Sequence, residues 1–298
     1  MADVKQQGRR AALQNLHLLK SCVPLVNAGQ MKMFAALVML IDHMAYALLE
    51  RNYTADGLPV YKSIQYGVLL DDLGRTVGRQ AFPVFCYFLV EGFFHTRSRP
   101  KYFARLSCFA VVSQVPFHKA LFPRTHTLHA NVFVTLGFGF LAIWILDWLG
   151  RVLLPAVVSP VKNRSGEYAE GKNKVKISGS IWGCVGNVLD LLCFVCACGG
   201  VVFGFCLLAE IFHSDYSYGG VAAIVIMYLL HKHRGLSLSV SWIWLSLYNS
   251  LELWAAPAFL LLACYDGQRG RQHKYFFYLF YPAHLLALWL IRRYLFVM

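Results

Sequence analysis

The chain has 298 residues, 58% hydrophobic and 15% aromatic, with 14% charged and a mean hydropathy of +0.50, a balance that excludes both an ordinary soluble domain and a disordered chain. Its net charge of +13 comes without zinc-finger spacing, an RNA-binding signature or a basic heptad helix, so nucleic acid is not an expected partner. Basic residues of a membrane protein collect in its cytoplasmic loops, which suffices to make the total positive.

The expected architecture is all-α, a polytopic helical membrane protein. Residues 1–31 read as a cytoplasmic extension without a cleavable signal peptide, where Leu13, Leu16, His17 and Lys20 can form a short amphipathic helix on the membrane surface. A transmembrane domain over 32–298 follows. Apolar segments at 33–50, 80–96, 103–121, 131–149, 183–211, 219–231 and 275–294 are each expected to span. Residues 236–264 are too long for one comfortable span and carry Asn249, Ser250 and Glu252 at their centre, so they read as two short helices turning near Asn249. The count is nine spans, with eight as the alternative. With the N-terminus inside, 20 of the 28 Lys and Arg fall in the predicted cytoplasmic segments, as orientation by positive charge requires. Residues 161–180 read as a flexible cytoplasmic insert. Five of nine cysteines (Cys184, Cys193, Cys196, Cys198 and Cys206) crowd one apolar stretch, where they read as small packing residues, and no metal is expected.

Several spans carry polar residues. Asp42 and His43 lie side by side in the first, about 100° apart around the helix axis. An acidic side chain at a bilayer centre costs about 2.5–3.5 kcal/mol on insertion scales, so the pair is a functional suspect. Glu91 and His95 lie one turn apart in the second span, either as polar glue or as functional groups, with Arg79 and Arg75 at its outer end. The third carries Gln114 and Pro116, the fourth opens at Asn131, and the last holds His284 after Tyr281 and Pro282. A histidine suits general-base work near neutral pH, with a carboxylate to fix its tautomer. There is no G-x-S-x-G elbow, H-E-x-x-H motif or Walker loop. Direct transfer, with histidine activating an amine or hydroxyl, needs only the residues present.

"MLIDHMAY" (39–46), "GRQAFPVFCYFLVEGFFHTRSRPKYFARL" (78–106), "SQVPF" (113–117), "DYSYGGVAAIV" (215–225) and "DGQRGRQHKYFFYLFYPAHLLALWLI" (266–291) occur in that order. Together they resemble the TraX family of bacterial membrane proteins, named after a protein that N-acetylates F-pilin. The resemblance implies a multi-pass N-acetyltransferase of the bacterial inner membrane with acetyl-CoA as donor, related to transmembrane acyltransferases with a membrane-embedded catalytic histidine. It places His43, Arg79, Glu91, His95, Asp215, Tyr216, Tyr281, Pro282 and His284 in family blocks. On that basis His43 is the expected base, oriented by Asp42 or Glu91, with Arg79, Asn131 or His284 stabilising the oxyanion. Arg97, Arg99, Lys101 and Arg105 are expected to hold the CoA phosphates, and Asp215 and Tyr216 to border the entry of a peptide, sugar or lipid acceptor. The chain departs from the family in the 161–180 insert and in Gln114, where an acidic residue is expected. The alternatives are a proton-coupled transporter, which would use Asp42, His43 and Glu91 as a relay, and a non-catalytic membrane assembly factor.

Overall fold

The computed structural model describes residues 26–50, 60–122, 129–158, 181–271 and 275–296, and among these the regular structure is entirely helical. The N-terminal extension to residue 25 and the 161–180 insert lie outside the described residues.

Helix α1 (Ala28–Met44) starts from a capping box in which Asn27 and Gln30 exchange hydrogen bonds of 3.0 Å. It runs directly into a π-helical segment, Ala45–Glu50, immediately after Asp42 and His43. Such widened turns are frequent at functional sites. A short helix α2 (Val60–Ser63) leads to α3 (Gly67–Gly78), an element that sequence reading left as part of an outer loop. Then follow α4 (Ala81–His95), α5 (Arg99–Leu121), α6 (Val132–Val158), α7 (Ile181–Ile211) and α8 (Ser217–Leu229). Helix α9 (Arg234–Tyr248) ends at Asn249, whose side chain caps a 3-10 stretch, Ser250–Ala255, that runs on into α10 (Ala256–Ala263). Helix α11 (Phe276–Phe296) closes the bundle.

Each predicted span therefore coincides with a helix, and the break near Asn249 is present. Among the described residues, three stretches are long and apolar enough to cross a membrane by themselves: Ala28–Glu50, Val132–Leu153 and Asp190–Ile211. Helix α5 has the length, but Ser107, Ser113, Gln114 and His118 interrupt its apolar character. Phe93, Phe140, Ile143, Ile224, Met227, Leu245, Leu262 and Leu285 pack at the centre of the bundle. Leu191, Leu192, Val195, Phe203, Leu207 and Ile211 of α7 point outward, as expected of a helix facing lipid rather than water.

Two clasps tie the ends together. At the end where α1 begins, the proximal end, Val26 bridges to Tyr265 and the Ala28 N–H donates to the Gln268 carbonyl at 2.9 Å. Gly270 takes φ +63° beside the Asn27 side chain, where a Cβ would lie 2.2 Å from Asn27 Oδ1. At the opposite, distal end, Ala130 bridges to Ser214 and the Asp215 N–H donates to the Ala130 carbonyl at 2.9 Å.

Candidate active site

Asp42 is the hub of an ionic cluster near the distal end. Arg75 Nη1 donates to its Oδ1 at 2.7 Å, and Arg79 Nη2 donates to Oδ1 at 3.1 Å and Oδ2 at 3.3 Å. Helix α3 makes this possible, because Gly74 and Gly78 sit directly on α1. A Cβ on Gly78 would fall 2.2 Å from the Asp42 Cβ, so only glycine leaves room for the carboxylate. Arg79 Nη1 also donates to Glu252 at 3.4 Å, and its Nε donates to the Arg75 carbonyl at 3.2 Å. Glu252 is wholly buried, and its second carboxylate oxygen has no hydrogen-bond partner among the described residues.

The loop between α7 and α8 completes the cluster. Tyr216 stacks on Phe82 with ring centroids 3.6 Å apart and lies 5.8 Å from the Arg79 guanidinium carbon. It does so at φ +63°, a conformation costly for a bulky residue and of the kind that collects at functional sites. The Thr135 hydroxyl donates to the Asp215 carbonyl, fixing the loop to α6. Burial pushes the Asp215 carboxyl up to about 6, against the pull of Arg79.

His43 points elsewhere. Its Nδ1 lies 2.7 Å from Nε2 of His284 on α11, and His284 Nδ1 lies 2.7 Å from the Phe280 carbonyl. A carbonyl only accepts, so Nδ1 of His284 carries the proton. In the neutral ring its Nε2 then accepts from His43 Nδ1–H, and the lone pair of His43 is left on Nε2. The two imidazoles lie nearly parallel, 10° apart, with Tyr281 edge-on to both. His43 therefore has the tautomer of a general base, oriented by His284. Asp42 is committed to arginines and does not orient it.

Glu91 does not orient it either. It sits toward the proximal end of α4, 3.3 Å from His231 Nε2 and 3.6 Å from His95 Nδ1. It borders a cavity of about 460 Å³, within the usual range for small-molecule sites. Lys32, Arg105 and Arg269 line one part of this cavity, while Met39, Phe133, Leu136 and Tyr281 form an apolar part. Tyr281 thus joins the cavity to the histidine pair.

Other expected roles are redistributed. Arg99 is held by Asp147 at 2.5 Å, while Arg97 and Lys101 are exposed, so of the four basic residues assigned to CoA only Arg105 reaches the cavity. Asn131 uses both amide hydrogens, on the Ala110 carbonyl at 2.7 Å and Gln114 Oε1 at 2.8 Å, and its oxygen caps α6 through the Phe133 N–H at 3.0 Å. It keeps no donor for an oxyanion. Gln114, in place of an acid, bonds His129 and Asn131 and ties α5 to the start of α6. Sequence reading missed Arg75, Glu252, Lys32 and Arg269 as site residues. The signal for Glu252 was present, as an acid inside an apolar segment.

The family model described as TraX protein matches residues 27–159 and 187–292. The chain is also 28% identical over 278 residues to the probable fimbrial assembly protein FimC, serogroup H1, of Dichelobacter nodosus, across 88% of this chain and 94% of that one. No solved structure is significantly similar.

Proposed function

The chain belongs to the TraX family, and on that premise we propose that it is an integral-membrane acetyltransferase moving an acetyl group from acetyl-CoA to an amine or hydroxyl of a peptide, sugar or lipid. The observation that carries the reading is the meeting, at Tyr281, of a cation-lined cavity with a histidine whose lone pair is left on Nε2.

In this reading α1 and α4 to α11 cross a bacterial inner membrane in alternation, with the proximal end in the cytoplasm. Arg97, Arg99, Lys101, Arg105, Lys232, Arg234, Arg269 and Arg271 gather toward that end, in keeping with positive charge on the inner side. Acetyl-CoA supplies an activated acyl group and enters from there. The cavity suits it in kind: Lys32, Arg105 and Arg269 offer cations for phosphates, and the apolar inner walls accept a slender uncharged arm. His43 takes the proton of the attacking amine or hydroxyl on Nε2, and His284 holds the ring in place. The acceptor approaches from the distal end, beside Asp42, Arg79, Asp215 and Tyr216. The relative named as a probable fimbrial assembly protein makes the N-terminus of a pilin-like peptide one acceptor to try.

The test is incubation of protein in nanodiscs with radiolabelled acetyl-CoA and a membrane extract, alongside His43→Ala. Label moving to a peptide, sugar or lipid with the native protein alone supports the reading. Equal transfer by both proteins removes His43 as the base. Folded protein that never consumes acetyl-CoA returns the chain to a transport or non-catalytic assembly role.

A further inference from the structure

We propose that the Tyr281 hydroxyl is the hydrogen-bond donor for the acyl carbonyl oxygen at the inner end of the cavity, an inference that rests on the transferase reading above. Sequence reading assigned that role to Arg79, Asn131 or His284, but none of the three lines the cavity and each is engaged elsewhere. Arg79 is bound to Asp42 and Glu252, both N–H groups of Asn131 are taken, and the ring N–H of His284 goes to the Phe280 carbonyl.

Tyr281 differs on three counts. It is 2% exposed, and among the described residues its O–H has no acceptor, the oxygen lying only against the Val132 backbone N–H, an arrangement that leaves the donor for a use. Its side chain lines the cavity. The buried hydroxyls of Ser113, Ser214, Ser241 and Ser246 are also unmatched among the described residues, but none of these serines lines it. Lastly, the ring is fixed edge-on against Phe133 at 5.1 Å, His284 at 5.6 Å and His43 at 5.9 Å between centroids, so the side chain that carries the hydroxyl is held in one place beside the histidine pair. Preorganised donors aimed at a developing oxyanion are among the strongest catalytic devices known.

In the step proposed, the acceptor nitrogen or oxygen bonds to the carbonyl carbon and its proton passes to His43 Nε2. The carbonyl electron pair moves onto oxygen, where the Tyr281 O–H meets it. Collapse re-forms the C=O bond and breaks the C–S bond, and the departing thiolate takes the proton from His43 to leave as free CoA thiol.

Tyr281→Phe keeps the ring and removes only the donor. In nanodiscs we expect its kcat for CoA release to fall roughly 10²–10³-fold with KM for acetyl-CoA nearly unchanged. Its thermal stability should stay close to that of the native protein, since the O–H has no acceptor to lose. A second readout needs no turnover: in His43→Ala, the infrared stretch of bound 1-¹³C-acetyl-CoA should lie lower than in water, and adding Tyr281→Phe should restore it. Full activity in Tyr281→Phe, a loss confined to KM, or an unshifted carbonyl stretch overturns the assignment while the transferase reading stands. Failure of the native protein to bind or turn over acetyl-CoA brings down both.

Discussion

Asp42→Asn tests whether the ionic cluster, rather than the histidine, is what Asp42 serves. The native carboxylate accepts three hydrogen bonds from two guanidinium groups, and its side chain is only 12% exposed. The amide keeps one acceptor oxygen and turns an NH₂ group toward cationic donors. Among the described residues Arg79 then retains only Glu252, at 3.4 Å, as a carboxylate partner, and Arg75 only Glu50, at 3.7 Å. Breaking a buried pair by neutralising one member costs about 3–5 kcal/mol. Arg75 is 24% exposed and recovers some solvation, so the lower part of that range, about 3 kcal/mol, applies. For a chain of this size that corresponds to a drop of roughly 6–12 °C in apparent melting temperature. Glu252→Gln removes one long contact and also neutralises an oxygen that has no partner, so its expected loss is smaller. The assay is a thermal scan of both variants in one lipid nanodisc preparation, followed by loss of monodispersity. An Asp42→Asn protein as stable as the native one, or less affected than Glu252→Gln, would refute the placement of Asp42 at the hub.

Three further outcomes follow from the same geometry. Gly78→Ala should destabilise the fold at least as much as Asp42→Asn, because its Cβ would lie 2.2 Å from the Asp42 Cβ and 2.6 Å from Oδ1 and must push α3 off α1; the same thermal scan reads it. His284→Phe should lower transfer by roughly 10–100-fold through loss of the acceptor for His43 Nδ1–H, and His284→Gln, whose side-chain oxygen can accept that proton, should recover part of it. Asp215, raised by burial from 3.8 to about 6, holds a proton in the folded state that the unfolded chain has released between those values. Stability from this group is therefore present below about 4 and is lost as the pH rises to 6. Asp215→Asn should accordingly be more stable than the native protein at pH 7, with the advantage shrinking as melting is repeated at lower pH.

The helical bundle was legible in the sequence because uninterrupted apolar length is a strong signal, and the Asp42–His43 pair stood out against it. Helix α3 was not, because its amphipathicity is inverted. Val68, Leu69, Leu70 and Leu73 face outward, whereas Asp71, Gly74 and Gly78 are the residues packed inside. In a water-soluble protein that pattern argues against a helix, but at a membrane surface it allows one whose apolar side meets lipid and whose small and polar side delivers Arg75 to the bundle. Lys32 and Arg269 were hidden by the positive-inside rule, which explains any basic loop residue without asking what it touches.

The deepest disagreement concerns the opening pair itself. Adjacency in sequence invited the pairing of Asp42 with His43, yet neighbours on a helix diverge by about 100° and do not face each other. Asp42 turns to arginines 33 and 37 residues away, and His43 turns to a histidine 241 residues away. One dipeptide thus belongs to two different devices. The first is a charged latch that holds α3 and the α9–α10 turn onto α1. The second is a hydrogen-bonded histidine pair, which in the proposed transfer supplies the base. An imidazole in place of a carboxylate as the orienting partner has a consequence for the proposed transfer. A carboxylate beside His43 would stabilise the imidazolium and hold the proton, whereas a second imidazole hydrogen-bonded to a carbonyl offers less charge stabilisation. In the proposed reaction the proton taken from the acceptor would then be released more readily to the leaving thiolate, which suits a transfer in which His43 must be emptied within the same turnover.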